Sequence, residues 1–147
     1  MTDKPRILVV ESETSVAMTL VFWLTRAGRD VASASTAGRA LRLAQAGDFD
    51  LITLAVDLPD MNGFELACRL KTIPHLRTTP VIFMAGNHHE EKMRRALDFG
   101  AVDYIIKPFE ATDFIFRIIA HAKAKFFQSD VPDEQTDTDA KRLCYTP

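Results

Sequence analysis

Cysteine is scarce in this chain: Cys68 and Cys144 are the only two in 147 residues, and they lie far apart. That spacing fits neither a disulfide framework nor a metal or redox motif, and it suits a reduced cytosol. Long hydrophobic runs are also missing, since none approaches the roughly 20 residues that a bilayer crossing needs. The opening MTDKPRILVV moves straight into a strand-like run without a cleavable small-residue site, which argues against a signal peptide. Charge of one sign is not in excess either. The formal net charge is −2, and no basic stretch is interleaved with aromatics, so neither nucleic acid nor an anionic membrane is an expected partner. What the chain does have is apolar residues, 47% of the total, enough for a packed domain.

Those apolar residues alternate between two periodicities. Ile7-Leu8-Val9-Val10 reads as a strand, followed by a helix from about Thr14 to Ala27 with Val16, Ala17, Leu20, Val21 and Leu24 on one side. Gly28 stops that helix. A short strand, Asp30 to Ala34, leads through Ser35 and Thr36 as caps into a helix carrying Ala37, Ala40, Leu41 and Ala44, which Gly47 ends. Leu51 to Ala55 is the third strand, and a helix from Phe64 to about Ile73 stops before Pro74. Val81 to Met84 is the fourth strand, with a helix from about Glu90 to Phe99 behind it. Val102 to Ile106 is the fifth, and a last helix runs from about Glu110 to Phe127, with Ala111, Ile115, Ile118 and Ala122 as its sheet-facing stripe.

Strands one, three and four are nearly continuous apolar runs, so both of their faces are expected to be covered. The pattern implies an α/β fold: a doubly wound, five-stranded parallel sheet in three α/β/α layers, occupying residues 1–127. Function in such sheets sits at the carboxyl ends of the strands. Residues 128–147 differ in composition, with five acids and no base from Asp130 to Asp139, and read as a solvated tail or linker.

The segments ILVVESE, DLITLAVDLPDMNGFEL, TPVIFMAG and GAVDYIIKPF resemble, in order and spacing, the signatures of response-regulator receiver domains (the CheY-like superfamily) over roughly residues 5–127. Lys107-Pro108-Phe109 is the most diagnostic piece. The resemblance implies the flavodoxin-like strand order 2-1-3-4-5 and a site for phosphoryl transfer. In that chemistry two acids after strand one hold Mg²⁺, an aspartate ending strand three attacks phosphorus, and a lysine after strand five neutralises the phosphoryl charge. A Ser or Thr after strand four then closes on the phosphoryl group. Positioning and charge neutralisation do most of the catalytic work.

Carried over residue by residue, most of this set is absent. The aspartate position, four before the loop proline Pro59, falls on Ala55, and the acid pair falls on Glu11 and Ser12. The hydroxyl position falls on Ala85, while Lys107 survives and Tyr104 matches the family's switch aromatic. Lys107 has two readings, an anion holder or an internal partner of Glu11, and the longer glutamate side chain favours the pair. Asp57 is read as tightening the loop. The resemblance with these losses implies a degenerate pseudo-receiver in bacterial two-component signal transduction. Such a module is expected to be cytoplasmic, not an enzyme and without a cofactor, and to act by phosphorylation-independent protein–protein contact in a signalling pathway. Two alternatives stay open: a phosphoacceptor using Asp57 with Mg²⁺ held weakly by Glu11 and Asp57, or a small-ligand sensor whose vacated pocket presents Lys107.

The usual partner face of the family is the fourth helix, fifth strand and fifth helix. Arg94, Arg95, Asp103, Phe116 and Arg117 fall in those elements, so a partner protein or a second copy of the chain is expected there. Phe116, Ile119, Phe126 and Phe127 widen the apolar arc of the last helix beyond a core-facing stripe. His88-His89 reads as solvated loop, because adjacent histidines face different ways and no third ligand is near in sequence.

Overall fold

A computed structural model describes residues 5–86, 91, 92, 94, 97 and 101–127 of the chain. Strands β1 (Arg6–Val10), β2 (Asp30–Ala34), β3 (Leu51–Ala55), β4 (Val81–Ala85) and β5 (Asp103–Ile106) alternate with helices α1 (Thr14–Arg26), α2 (Ala37–Ala46) and α3 (Gly63–Lys71), and the last helix spans Ala111–Phe127. Residues 91, 92, 94 and 97 are helical, within the segment expected to be the fourth helix. Arg95, His88, His89 and residues 128–147 lie outside the described residues.

Local chemistry sets several of the helix ends. After α1, Gly28 takes a left-handed φ of 82° and the Arg29 N–H closes back on the Leu24 carbonyl at 3.0 Å, a reversal that glycine makes without steric cost. The Thr36 hydroxyl accepts from Arg39 N at 3.2 Å and caps α2, and Asn62 does the same for α3 through Phe64 N at 2.7 Å. Pro74 opens a short 3₁₀ turn instead of continuing α3, which has already ended at Lys71.

The five strands are parallel in the order β2-β1-β3-β4-β5. Every residue of β3 and β4 is buried, as the unbroken apolar runs require, whereas the edge strands β2 and β5 are only partly so. Alternation divides the core in two. Leu8, Val10, Ile52, Leu54 and Phe83 pack on one face with Ala37, Ala40 and Ala44 of α2, whose small side chains let that helix approach closely. Ile7, Val9, Leu51, Ile82, Met84 and Ile105 pack on the other with Leu20 and Leu24 of α1 and Phe114 and Ile118 of the last helix.

One part of the sequence reading needs adjustment. The buried stripe of the last helix is Phe114, Ile118 and Ala122, with Ala111 and Ile115 only partly covered. Phe114 is drawn inward by two other rings, Trp23 at 5.9 Å and Phe109 at 5.7 Å, which the pattern of the helix alone does not reveal. Among the described residues no helix is long and apolar enough to cross a membrane.

Candidate functional site

The parallel sheet delivers Glu11, Ala55, Ala85 and Lys107 to one edge, because each ends or directly follows a strand. Val10 pairs with Leu54, so the register carried one step further sets Glu11 beside Ala55. Strand alternation then decides which layer each side chain joins. Glu11, Ala55 and Lys107 continue the α1 side of the sheet, whereas Ala85 belongs to the apolar cluster on the α2 side.

Glu11 is 3% exposed, and both of its carboxylate oxygens are engaged. Oε1 accepts from Lys107 Nζ at 2.9 Å and Oε2 accepts from the Glu13 N–H at 3.1 Å. Of the two readings open for Lys107, the internal pair is the arrangement in the structure. The lysine is held on the backbone side as well, since Lys107 N donates to the Ala85 carbonyl at 2.8 Å. An ion pair this secluded has lost much of its hydration, which the short contact and the additional N–H offset.

Ala55 closes β3 at 4% exposure, and its backbone is walled in by Gly63. A Cβ on Gly63 would collide with the Ala55 carbonyl oxygen and come within 2.8 Å of Val56 Cα, so the start of α3 sits directly on the end of β3. Gly63 N donates to Val56 O at 2.8 Å across the same junction. Asp57 lies in the exposed loop, bridged through its backbone to Asn62, and the Ser12 hydroxyl donates to its carbonyl at 3.4 Å. Asp60, one loop position that sequence reasoning passed over, takes Ala37 N at 2.9 Å and Gly38 N at 3.0 Å. Those two N–H donors at the start of α2 hold its carboxyl below the usual range.

Magnesium calls for several hard oxygen ligands in near-octahedral array. This site offers a glutamate with both oxygens committed, the Asp57 carboxylate in the exposed loop, a serine hydroxyl and an alanine methyl, and no group of three His, Cys, Asp or Glu among the described residues is placed to hold a metal. The donor set does not fit the ion. An alanine methyl also supplies no nucleophile for phosphorus.

Of the candidate interface residues, Arg94, Asp103, Phe116 and Arg117 are among the described residues, and they stand in different surroundings. Asp103 is occupied internally: Oδ1 accepts from Arg117 Nη1 at 2.7 Å and Oδ2 faces His121 Nε2 at 3.1 Å. Arg117 also pairs with Asp113 at 3.2 Å and donates to the Tyr104 carbonyl at 3.3 Å. Partial burial works against its charge, but the hydrogen bonds with Asp113 and Asp103 outweigh it and hold the guanidinium above its ordinary value. Tyr104 is half-buried against the α2-side cluster. Phe116, although next to Arg117 in sequence, stands 72% exposed on the other side of the helix, bordering α1. Arg94 is helical and exposed. His121 escaped notice because a lone histidine in an amphipathic pattern carries no signal until its partner is known.

Comparison with known proteins puts this geometry in context. The sequence pattern of the response regulator receiver domain matches residues 7–119. The chain is 31% identical over 134 residues to the transcriptional regulatory protein KdpE of Mycobacterium tuberculosis, covering 91% of this chain and 58% of that protein. It is 32% identical over 116 residues to the cell cycle response regulator CtrA of Brucella ovis, covering 78% and 49%. It thus spans about half the length of these curated relatives. Among solved structures, a CheY-like receiver domain protein from Methanospirillum hungatei superposes with a TM-score of 0.79 at 27% identity, covering 86% of this chain and 100% of that one. The chemotaxis response regulator CheY4 of Vibrio cholerae gives 0.75 at 25%, covering 80% and 98%.

Proposed function

This chain belongs to the family of response regulator receiver domains, and from that premise we propose that it works without the phosphoaspartyl switch. It is a pseudo-receiver, not an enzyme, whose business is binding another protein in a two-component signalling pathway. The observation that carries the reading is a methyl group, that of Ala55, at the end of β3 where the reaction needs a carboxylate. Two features support it. The Glu11–Lys107 pair already neutralises the lysine that would otherwise meet a phosphoryl group, and Ala85 has no hydroxyl to close on one. The resting arrangement of the edge is therefore the working one. Asp57 gains no support as a substitute nucleophile, because it sits two residues beyond the strand end in the exposed loop.

The test is intact-mass spectrometry after incubation with a small phosphodonor and Mg²⁺. The expected result is no added phosphoryl group, in the wild type and in Ala55→Asp alike, since Ser12 and Ala85 still leave the metal and switch positions without their groups. A stoichiometric gain of one phosphoryl group by the wild type sinks the proposal, and its loss in Asp57→Asn would name the acceptor.

A further inference from the structure

The chain has two asparagines, and one of them, Asn62, is followed by a glycine. An Asn-Gly pair can modify itself. The glycine nitrogen loses its proton and attacks the side-chain carbonyl carbon, the side-chain amide leaves as ammonia, and a five-membered succinimide closes. Water then opens that ring at one of its two carbonyls. The product is aspartate or, where the main chain now runs through the side chain, isoaspartate. Glycine favours the reaction because no Cβ shields its nitrogen and its backbone rotates freely. Water is the only co-reactant.

In the folded chain each reacting group is held. Asn62 is exposed, so water reaches it, whereas Gly63 is buried. The Gly63 N–H donates to the Val56 carbonyl at 2.8 Å, which occupies the nucleophile. The Asn62 side-chain oxygen accepts from Phe64 N at 2.7 Å, which fixes the carbon to be attacked. Asn62 is extended, with φ −66° and ψ 138°, and this ψ turns the Gly63 nitrogen away from the Asn62 side chain. Ring closure therefore needs rotation about the Asn62 Cα–C bond. That rotation carries Gly63 off Val56 and lifts the first turn of α3 from the end of β3. No small adjustment in place serves instead, because Gly63 lies against the Ala55 carbonyl too closely even for a Cβ.

We propose that Asn62 is a site of spontaneous deamidation that the closed β3–α3 junction holds shut. Modification then follows the fraction of time the junction stands open, and the isoaspartyl product keeps it from closing again. Isoaspartate adds one methylene to the main chain just before Gly63 and moves the capping oxygen away from Phe64 N. A glycine packed this tightly then no longer reaches Val56 and Ala55 together. Ordinary aspartate leaves the junction intact, because its carboxylate accepts from Phe64 N as the amide does. The inference concerns this junction alone and needs neither a phosphodonor nor a partner, so it stands or falls apart from the reading of the site.

Peptide mapping by mass spectrometry tests it, on the whole chain kept at neutral pH with and without guanidinium chloride. Deamidation makes the Asn62 peptide about 1 Da heavier, and its rate is expected to be at least about tenfold lower in the folded chain than in denaturant. Leu66→Ala removes a fully buried side chain one turn into α3. With the circular dichroism spectrum unchanged, it should raise the folded rate at least about threefold and leave the rate in denaturant as it was. Asn62→Asp should keep a urea midpoint close to that of wild type, whereas the isolated isoaspartyl form should unfold at lower urea. Equal rates in the folded and denatured chain overturn the proposal, and so does a folded rate that Leu66→Ala leaves unchanged. An isoaspartyl form as stable as wild type overturns it too, because the junction would then close over the modified chain.

Discussion

At the scale of single residues, the chemistry of this receiver is set by what Glu11 and Lys107 do to one another. Their 2.9 Å contact holds a carboxylate that is 3% exposed against an ammonium about a quarter exposed. Removing only the cation leaves the buried carboxylate charge with the Glu13 N–H as its one hydrogen bond among the described residues and no counter-charge, which costs more than removing both. Lys107→Met is therefore expected to destabilise the fold by about 2–3 kcal/mol, below the usual figure for a fully buried pair because water still reaches the lysine. The Glu11→Gln, Lys107→Met double variant should recover much of that loss. Urea denaturation of the four proteins in the cycle measures the coupling. Additive effects would mean that the pair does not hold the edge together.

At the scale of elements, loops and helix ends fix how the layers meet the sheet. Asp60 ties the β3–α3 loop to the start of α2 through two backbone N–H groups. Its carboxyl is held below the usual range in the folded protein. A depressed folded value means that its contribution is complete above the unfolded value of about 4 and fades as the pH falls through the lower, folded value. Asp60→Asn should therefore lower the urea midpoint at pH 7, and the gap from wild type should narrow as acidification carries the folded carboxyl through its depressed value. A gap that does not narrow would exclude the carboxylate as the cause. The last helix is tied down by the same means, with Arg117 and His121 both converging on Asp103 of β5. That tie engages Asp103 and Arg117 within the chain, with the Arg117 side chain still 37% exposed.

At the scale of the whole molecule, the scaffold is that of a receiver, a five-stranded parallel sheet in the order β2-β1-β3-β4-β5. The sheet order is that of the family's fold, so on the proposed reading it is missing side chains, and not the scaffold, that hold back phosphoryl transfer. Restoring the groups together is accordingly expected to restore the reaction. Ser12→Asp, Ala55→Asp and Ala85→Thr in one chain should take up phosphate from a small donor with Mg²⁺, where Ala55→Asp alone does not. Intact mass reads the difference. Failure of the triple variant would show that the β-strand edge itself, and not the missing side chains, has changed.

The sequence by itself determined the order of the elements, the burial of the central strands and the register that puts Ala55 at the end of β3. These are local properties: runs of apolar residues, glycine and proline punctuation, and the fixed distance from Ala55 to Pro59. It also named both members of the Glu11–Lys107 pair, but left their relation open. Only the tertiary structure decided what depends on elements far apart in the chain meeting in space. It chose the internal pair for Lys107, turned Phe114 inward against Trp23 and Phe109, and bound Asp103 to His121. It also divided neighbours, sending Arg117 to β5 and Phe116 to a groove beside α1. Successive residues of a helix point about 100° apart, so two adjacent side chains serve different faces, and the sequence alone does not say which neighbour waits on each.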